Sequence, residues 1–233
     1  MSNTETTPRS IKQRIKDGDK LNNGQGKIPT NASREQVHEF IAEHAPDMMY
    51  LDAHHSPITE WDISRICQAG QEKNTPVMMR IKHAHPASLI SGLLDIGVFS
   101  IKVPTVEDEA TVDAVIDAFY YPPIGKRSLG GSNNYGEVDR KLGPDGSPYF
   151  EWWNNNAVLG FKLETLKGVL HARYLAKPGV DYFDFGGQDL GHDLAIQQHP
   201  GFETVAACKD FVTHAPQGTG VSFGLAGRAG QRL

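Results

Sequence analysis

The sequence predicts an α/β protein of the (β/α)8 TIM-barrel type, truncated after a seventh strand, and three observations carry that expectation. Strand-like apolar runs alternate with helix-period segments along most of the chain, as parallel βα units do. Polar residues gather where those strands end, at Asp52, His54, His55, Arg80, Glu164 and Asp189, and barrel sites are built from the carboxyl ends of several strands at once. No G-x-G-x-x-G follows the first strand, which weakens the competing doubly wound dinucleotide-binding sheet.

Residues 1–12 are polar and expected to be a flexible N-terminus, with 13–233 forming a single barrel domain. Residues 11–21 could make a short basic helix, and a first strand is expected around 26–29. Residues 33–44 carry Val37, Phe40 and Ile41 at helical spacing, and D-M-M-Y-L-D at 47–52 is strand-like. The next helix, 59–72, has Thr59 as its cap and Ile63, Ile66 and Cys67 on one side. Strand 77–82, helix 86–96 and strand 98–103 follow. Helix 107–120 keeps Val112, Val115, Ile116 and Phe119 in register. A long loop is expected over 121–156, holding P-P-I-G-K-R, G-G-S-N-N-Y-G and G-P-D-G-S-P; loops of this length in a compact domain are often functional. Trp152 and Trp153 should pack that loop. Strand 158–163, helix 166–176, strand 182–185, helix 202–214 and strand 220–225 complete the pattern.

Apolar content of 39% with 22% charged residues suits a soluble globular chain. A net charge of −5 disfavours nucleic acid and anionic membranes as partners. No apolar run approaches the ~20 residues of a membrane span, and the first residues lack the apolar core of a signal peptide. Cys67 and Cys208 have no metal-ligand spacing and are expected to be buried free thiols. A cytoplasmic protein acting on small molecules is the expectation.

The stretch V-D-Y-F-D-F-G-G-Q-D-L, Val180 to Leu190, is a buried strand that breaks at two glycines with an acid just beyond. Amides freed at such a break can hold an anion, and a carboxylate there can hold a hard cation. V-L-G-F-K-L-E also ends a strand in an acid. Glu164 and Asp189 are therefore candidate ligands for Mg²⁺ or Mn²⁺, which accept oxygen ligands and keep open positions; zinc lacks a neighbouring cysteine or histidine. Helix capping is the alternative use of two strand-end acids. Lys162 shares Glu164's face under period-two alternation, so two charges meet at one inward site. Arg80 could hold a carboxylate or an enolate oxygen, or else form a salt bridge with an acid at the barrel end. His54 and His55 follow Asp52, an arrangement suited to a proton shuttle oriented by an acid, and alternation keeps both rings from facing one point. Arg127 could close over an anionic substrate, or simply be a solvated loop arginine.

With those residues in hand the chain resembles the HpcH/HpaI family of metal-dependent (class II) pyruvate aldolases, a group related to 2-keto-3-deoxy sugar-acid aldolases and macrophomate synthase. The family's D-x-E-H-G-P is matched by D-A-H-H-S-P at 52–57, its V-R by Met79 and Arg80, and its P-P-x-G-x-R-G by residues 122–128. Its Q-x-E is matched by Lys162 to Glu164 and its G-P-x-D-L by Gly186 to Leu190. The resemblance implies that Glu164 and Asp189 bind the metal, His55 is the acid/base with Asp52 beside it, and Arg80 stabilises a pyruvate enolate. It also implies that Gly187, Gln188 and the Asp189 amide hold the pyruvate carboxylate, with Arg127 and Lys162 toward the rest of the substrate. The chain departs from the family at His54, Lys162, Gly187 and Ser128, and the first two change the charge around the metal and the acceptor.

A carbon–carbon lyase acting on a 4-hydroxy-2-oxo acid is the leading expectation, with a 2-oxo acid and an aldehyde as its small-molecule partners. An oxaloacetate decarboxylase or enolate-using synthase on the same site is the alternative, and a non-catalytic binding protein on a decayed barrel is a third. A barrel stopping after seven strands would need its edges covered, so a homo-oligomer is expected.

Overall fold

A computed structural model describes residues 9–225 apart from 20, 24–26, 85–86, 132 and 140. Six strands form one sheet: β1 (Met49–Asp52), β2 (Val77–Arg80), β3 (Ser100–Val103), β4 (Val158–Leu163), β5 (Tyr182–Phe185) and β6 (Ser222–Phe223). They pair in chain order and every pair is parallel. α2 (Arg34–His44) precedes β1, and the helices on the crossovers are α3 (Glu60–Gln71), α4 (Ala87–Asp95), α5 (Glu109–Phe119), α7 (Leu166–Leu175) and α9 (Val205–His214). This is the (β/α) TIM-barrel type of architecture that the alternation predicts.

The sheet curls until non-neighbouring strands touch. The Tyr182 hydroxyl on β5 donates to Met78 Sδ on β2 at 3.2 Å, where a flat sheet would hold those strands about 14 Å apart at ~4.8 Å per strand. Lys102 Nζ on β3 likewise stands 4.8 Å from the Tyr50 ring centroid on β1. Gly160 permits the crossing, because a Cβ there would lie 2.1 Å from the Tyr182 ring. The buried apolar residues of strands and helices form one core.

Local chemistry sets the helix starts. Thr59 and Ser33 make capping boxes with Asp62 and Gln36, and Asp108, Thr165 and Thr204 each cap a helix through a side-chain oxygen. At the amino ends of the strands, α1 (Ile11–Lys16) lies under the sheet. Lys12 Nζ donates to the Tyr120 hydroxyl at 2.9 Å and pairs with Asp181 at 3.4 Å, while Asp181 also accepts from the Leu159 amide at 2.8 Å.

Several expectations change. The strand expected at 26–29 is, among the described residues, a single parallel bridge from Lys27 to Tyr50, with Gly26 outside them. Ile11 and Lys12, expected in a flexible N-terminus, belong to α1, and Lys12 is buried; residues 1–8 lie outside the described residues. The segment 121–156 is not all loop but ends in α6 (Tyr149–Asn156), whose Trp153 indole donates to the Phe119 carbonyl. Finally, α8 (Gly187–Leu194) follows β5 directly, although two glycines in G-Q-D-L-G-H-D-L argue locally against a helix. Strand 220–225 narrows to the two residues of β6, and residues 226–233 lie outside the described part. Pro86, expected to open a helix, is also outside it.

Candidate active site

The parallel register brings a ring of charge to the carboxyl ends of the strands. Asp52 is level with Arg80, Arg80 with Lys102, and Lys162 with Asp184. Arg80, Lys162 and Asp184 of this ring open onto a cavity of about 850 Å³ whose wall also includes His55 and the turn Gly186 to Asp189.

Arg80 and Asp52 form a two-pronged pair, with Nε on Oδ1 at 2.8 Å and Nη2 on Oδ2 at 2.6 Å. Lys27 pairs with the same Oδ2, and the His54 amide donates to Oδ1 at 3.1 Å. Burial alone would push the Asp52 carboxyl up, but the hydrogen bonds and charges of Arg80 and Lys27 outweigh it and hold the group well below the usual carboxylate range. Asp52 is thus a fixed acceptor that orients Arg80 and not a proton carrier.

The two histidines lie just past the end of β1, outside the alternating strand. His54 Nδ1 donates to the Lys82 carbonyl at 2.6 Å, whereas His55 lines the cavity, its ring 4.2 Å from that of His54 and edge-on to it. Partial burial and then the charges of Arg80 and His54 lower the His55 pKa from 6.5. A neutral imidazole beside a fixed guanidinium is a base available near neutral pH.

Glu164, 2% exposed, follows β4. Its Oε2 accepts from the Thr105 amide at 2.9 Å and the Thr105 hydroxyl at 3.0 Å. Thr105 takes a left-handed φ of 49° to present both. Oε1 is paired with Lys162 Nζ. Asp189 stands in the first turn of α8, half-exposed, with Oδ2 3.8 Å from the same Nζ. Gly186 must be glycine here, for a Cβ would lie 2.5 Å from Glu164 Cγ and 2.9 Å from Lys162 Nζ.

A hard cation fits these donors. Two carboxylate oxygens from separate elements already converge on one positive atom, and Mg²⁺ or Mn²⁺ is commonly held by one or two carboxylates with water and substrate completing the shell. Among the described residues no group of three or more His, Cys, Asp or Glu forms a metal site, so the protein's share would be Glu164 and Asp189 alone. The first amides of α8, including those of Gly187, Gln188 and Asp189, have no side-chain cap and border the cavity, an arrangement that suits an anion.

Arg127 is not brought to this cavity. It is buried, with Nη2 on Asp95 and Asn134 at 2.8 Å each and its guanidinium stacked over Tyr121 and Trp153 at 4.7 and 4.5 Å. Aromatic faces of the 121–156 segment and the Asp95 carboxylate at the end of α4 hold it instead. Conversely, sequence reasoning passed over Lys102 and Asp184, a buried pair at 2.6 Å, as well as Lys27, Tyr50 and Lys209 on the cavity wall. The signal for Lys102 was available: S-I-K-V puts a lysine on the inward face of a buried strand, the same two-step pattern that singled out Lys162.

The sequence matches the family described as HpcH/HpaI aldolase/citrate lyase over residues 30–226. A hydroxypyruvate/pyruvate aldolase of Delftia acidovorans (strain DSM 14801 / SPH-1) is 29% identical over 183 residues, 78% of this chain and 65% of that relative. The chain therefore spans just under two thirds of that relative's length. The solved HpcH/HpaI aldolase from Desulfitobacterium hafniense DCB-2 superimposes with a TM-score of 0.74 at 25% identity, covering 93% of this chain and 81% of that one. Macrophomate synthase shares the fold, with a TM-score of 0.74 at 24% identity over 95% of this chain and 78% of its own.

Proposed function

The chain belongs to the HpcH/HpaI aldolase/citrate lyase family, and from that premise we propose that it is a divalent-metal-dependent carbon–carbon lyase. It cleaves or forms a 4-hydroxy-2-oxo acid through a pyruvate enolate. The observation that carries this reading is the convergence on one cavity of an oriented cation, a depressed histidine and two strand-end acids: Arg80 on Asp52, His55, and Glu164 with Asp189.

In this mechanism the 2-oxo acid's carboxylate sits on the amides of Gln188 and Asp189 at the start of α8. Arg80, with Nε and Nη2 spent on Asp52, keeps its Nη1 edge for the keto oxygen and steadies the negative charge that grows there. Neutral His55 takes the proton of the C4 hydroxyl. The C3–C4 electron pair moves into the 2-oxo group, the aldehyde departs, and the enolate regains a proton at C3. When bound at Glu164 and Asp189, Mg²⁺ or Mn²⁺ supplies Lewis-acid polarisation of the oxo acid's oxygens. Lys162 meets an anionic group on the acceptor.

Two further parts belong to the same reading. Exposed Leu129, Leu142 and Phe150 gather along a second groove on the 121–156 segment, which supports a homo-oligomer, as large apolar patches mark contact surfaces. Two buried free thiols, Cys67 and Cys208, suit a reducing cytoplasm; among the described residues no helix is long and apolar enough to cross a membrane.

The test is release of pyruvate from a panel of 4-hydroxy-2-oxo acids, with Mn²⁺ and with a chelator. Metal-dependent release from at least one member is expected. Release from oxaloacetate alone would replace aldol cleavage by decarboxylation, and no turnover of either would reject the lyase.

A further inference from the structure

Lys162 stands where a cation of this site would have to stand. Glu164 has given Oε2 to Thr105, so Oε1 is its one remaining oxygen for a positive partner, and Lys162 Nζ occupies it. The same Nζ is 3.8 Å from Asp189 Oδ2, the other candidate ligand. Gly186 leaves the space for it, since a Cβ there would come within 2.9 Å of the ammonium. Lys162's register neighbour Asp184 is already paired with Lys102 at 2.6 Å, so the lysine's charge is directed to Glu164 and Asp189. Like charges cannot share so small a place.

We infer that Lys162 is an internal counter-cation whose ammonium and a divalent metal exclude one another at Glu164 and Asp189. The inference rests on the metal reading above and adds a competition to it. Metal enters only as the ammonium leaves, and the displaced Lys162 head turns into the cavity, where it can meet an anionic acceptor. Without metal, the buried Glu164 carboxylate keeps a cationic partner.

Calorimetric titration of Mn²⁺ into chelator-treated full chain separates the possibilities. Wild type is compared with Lys162→Gln and with Lys162→Met, which keeps a similar stem without the charge. Both variants should bind Mn²⁺ at least about tenfold more tightly than wild type, and adding Glu164→Gln should abolish the gain. Melting gives a second readout: Mn²⁺ should raise Tm more in the variants, where it fills an uncompensated acid pair, than in wild type, where it replaces a cation. A variant that folds only with Mn²⁺ present would be the extreme form of the same result. Equal or weaker Mn²⁺ affinity in both variants, with binding still lost in Glu164→Gln, would overturn the competition and leave the metal reading standing. No Mn²⁺ binding by any form would remove both.

Discussion

The two ends of this barrel carry the same kinds of group and use them differently. At the amino end Lys12, Asp181 and Tyr120 form a buried knot: the Tyr120 hydroxyl and the Leu159 amide donate to Asp181 Oδ2, and Lys12 of α1 pairs with the same oxygen. At the carboxyl end Asp52, Arg80, Lys102, Lys162, Asp184 and Glu164 are also paired, yet Arg80, Lys162 and Asp184 among them wall an open space of about 850 Å³. Burial raises the Asp181 carboxyl at the closed end, whereas Arg80 and Lys27 overcome burial and depress Asp52 at the open end. A buried ion pair is therefore no sign of chemistry by itself. What marks the site is charge held in fixed geometry where a small molecule can reach it.

The sharpest way to break the comparison is to neutralise the open end. Glu164→Gln should lower kcat/KM for pyruvate release by about 10³-fold or more, since Lewis-acid assistance is worth several kcal/mol. A loss confined to a few-fold would make Glu164 a structural partner of Thr105. Next, Arg80→Lys keeps the charge but loses the fork on Asp52, and turnover should fall about 10²-fold, with steady-state kinetics as the check.

The closed end should answer in the opposite currency of effect. Asp181→Asn leaves Lys12 buried without its counter-ion and should cost about 3 kcal/mol of stability in urea unfolding, with kcat/KM unchanged. A loss of activity in the folded variant would mean that the two ends are coupled.

The smallest effect is a pH limb. A lowered His55 pKa keeps the imidazole neutral to lower pH, so the acid limb of kcat/KM should fall below 6.5 and vanish in His55→Asn. A limb above 6.5 would place the base elsewhere.

Most of the fold was legible because its strands are short, mainly apolar runs and its helices announce their starts. Val158–Leu163 and Tyr182–Phe185 have the very bounds their sequences suggest, and Thr59 caps α3 through a box with Asp62. Period-two alternation likewise gave the Lys162–Glu164 pair. What escaped was set by distant contacts. The α8 helix forms despite Gly187 and Gly191, because Leu190 is buried and Asp193 caps the Leu166 amide from across the chain. Arg127 follows a loop-like motif, and only the fold reveals that Tyr121, Trp153 and Asp95 enclose it. Lys102 itself was readable from S-I-K-V, but its partner Asp184 lies 82 residues away, a separation over which no local pattern speaks.

The most direct test of the central claim is solvent deuterium exchange into the methyl group of pyruvate, followed by NMR with no aldehyde present. It isolates enolate formation from every question of acceptor. The account predicts exchange that needs Mn²⁺ or Mg²⁺, slows about 10²-fold in Arg80→Lys and persists in Asp181→Asn. Exchange at the same rate in Arg80→Lys, or none in the metal-supplied wild type, would contradict it.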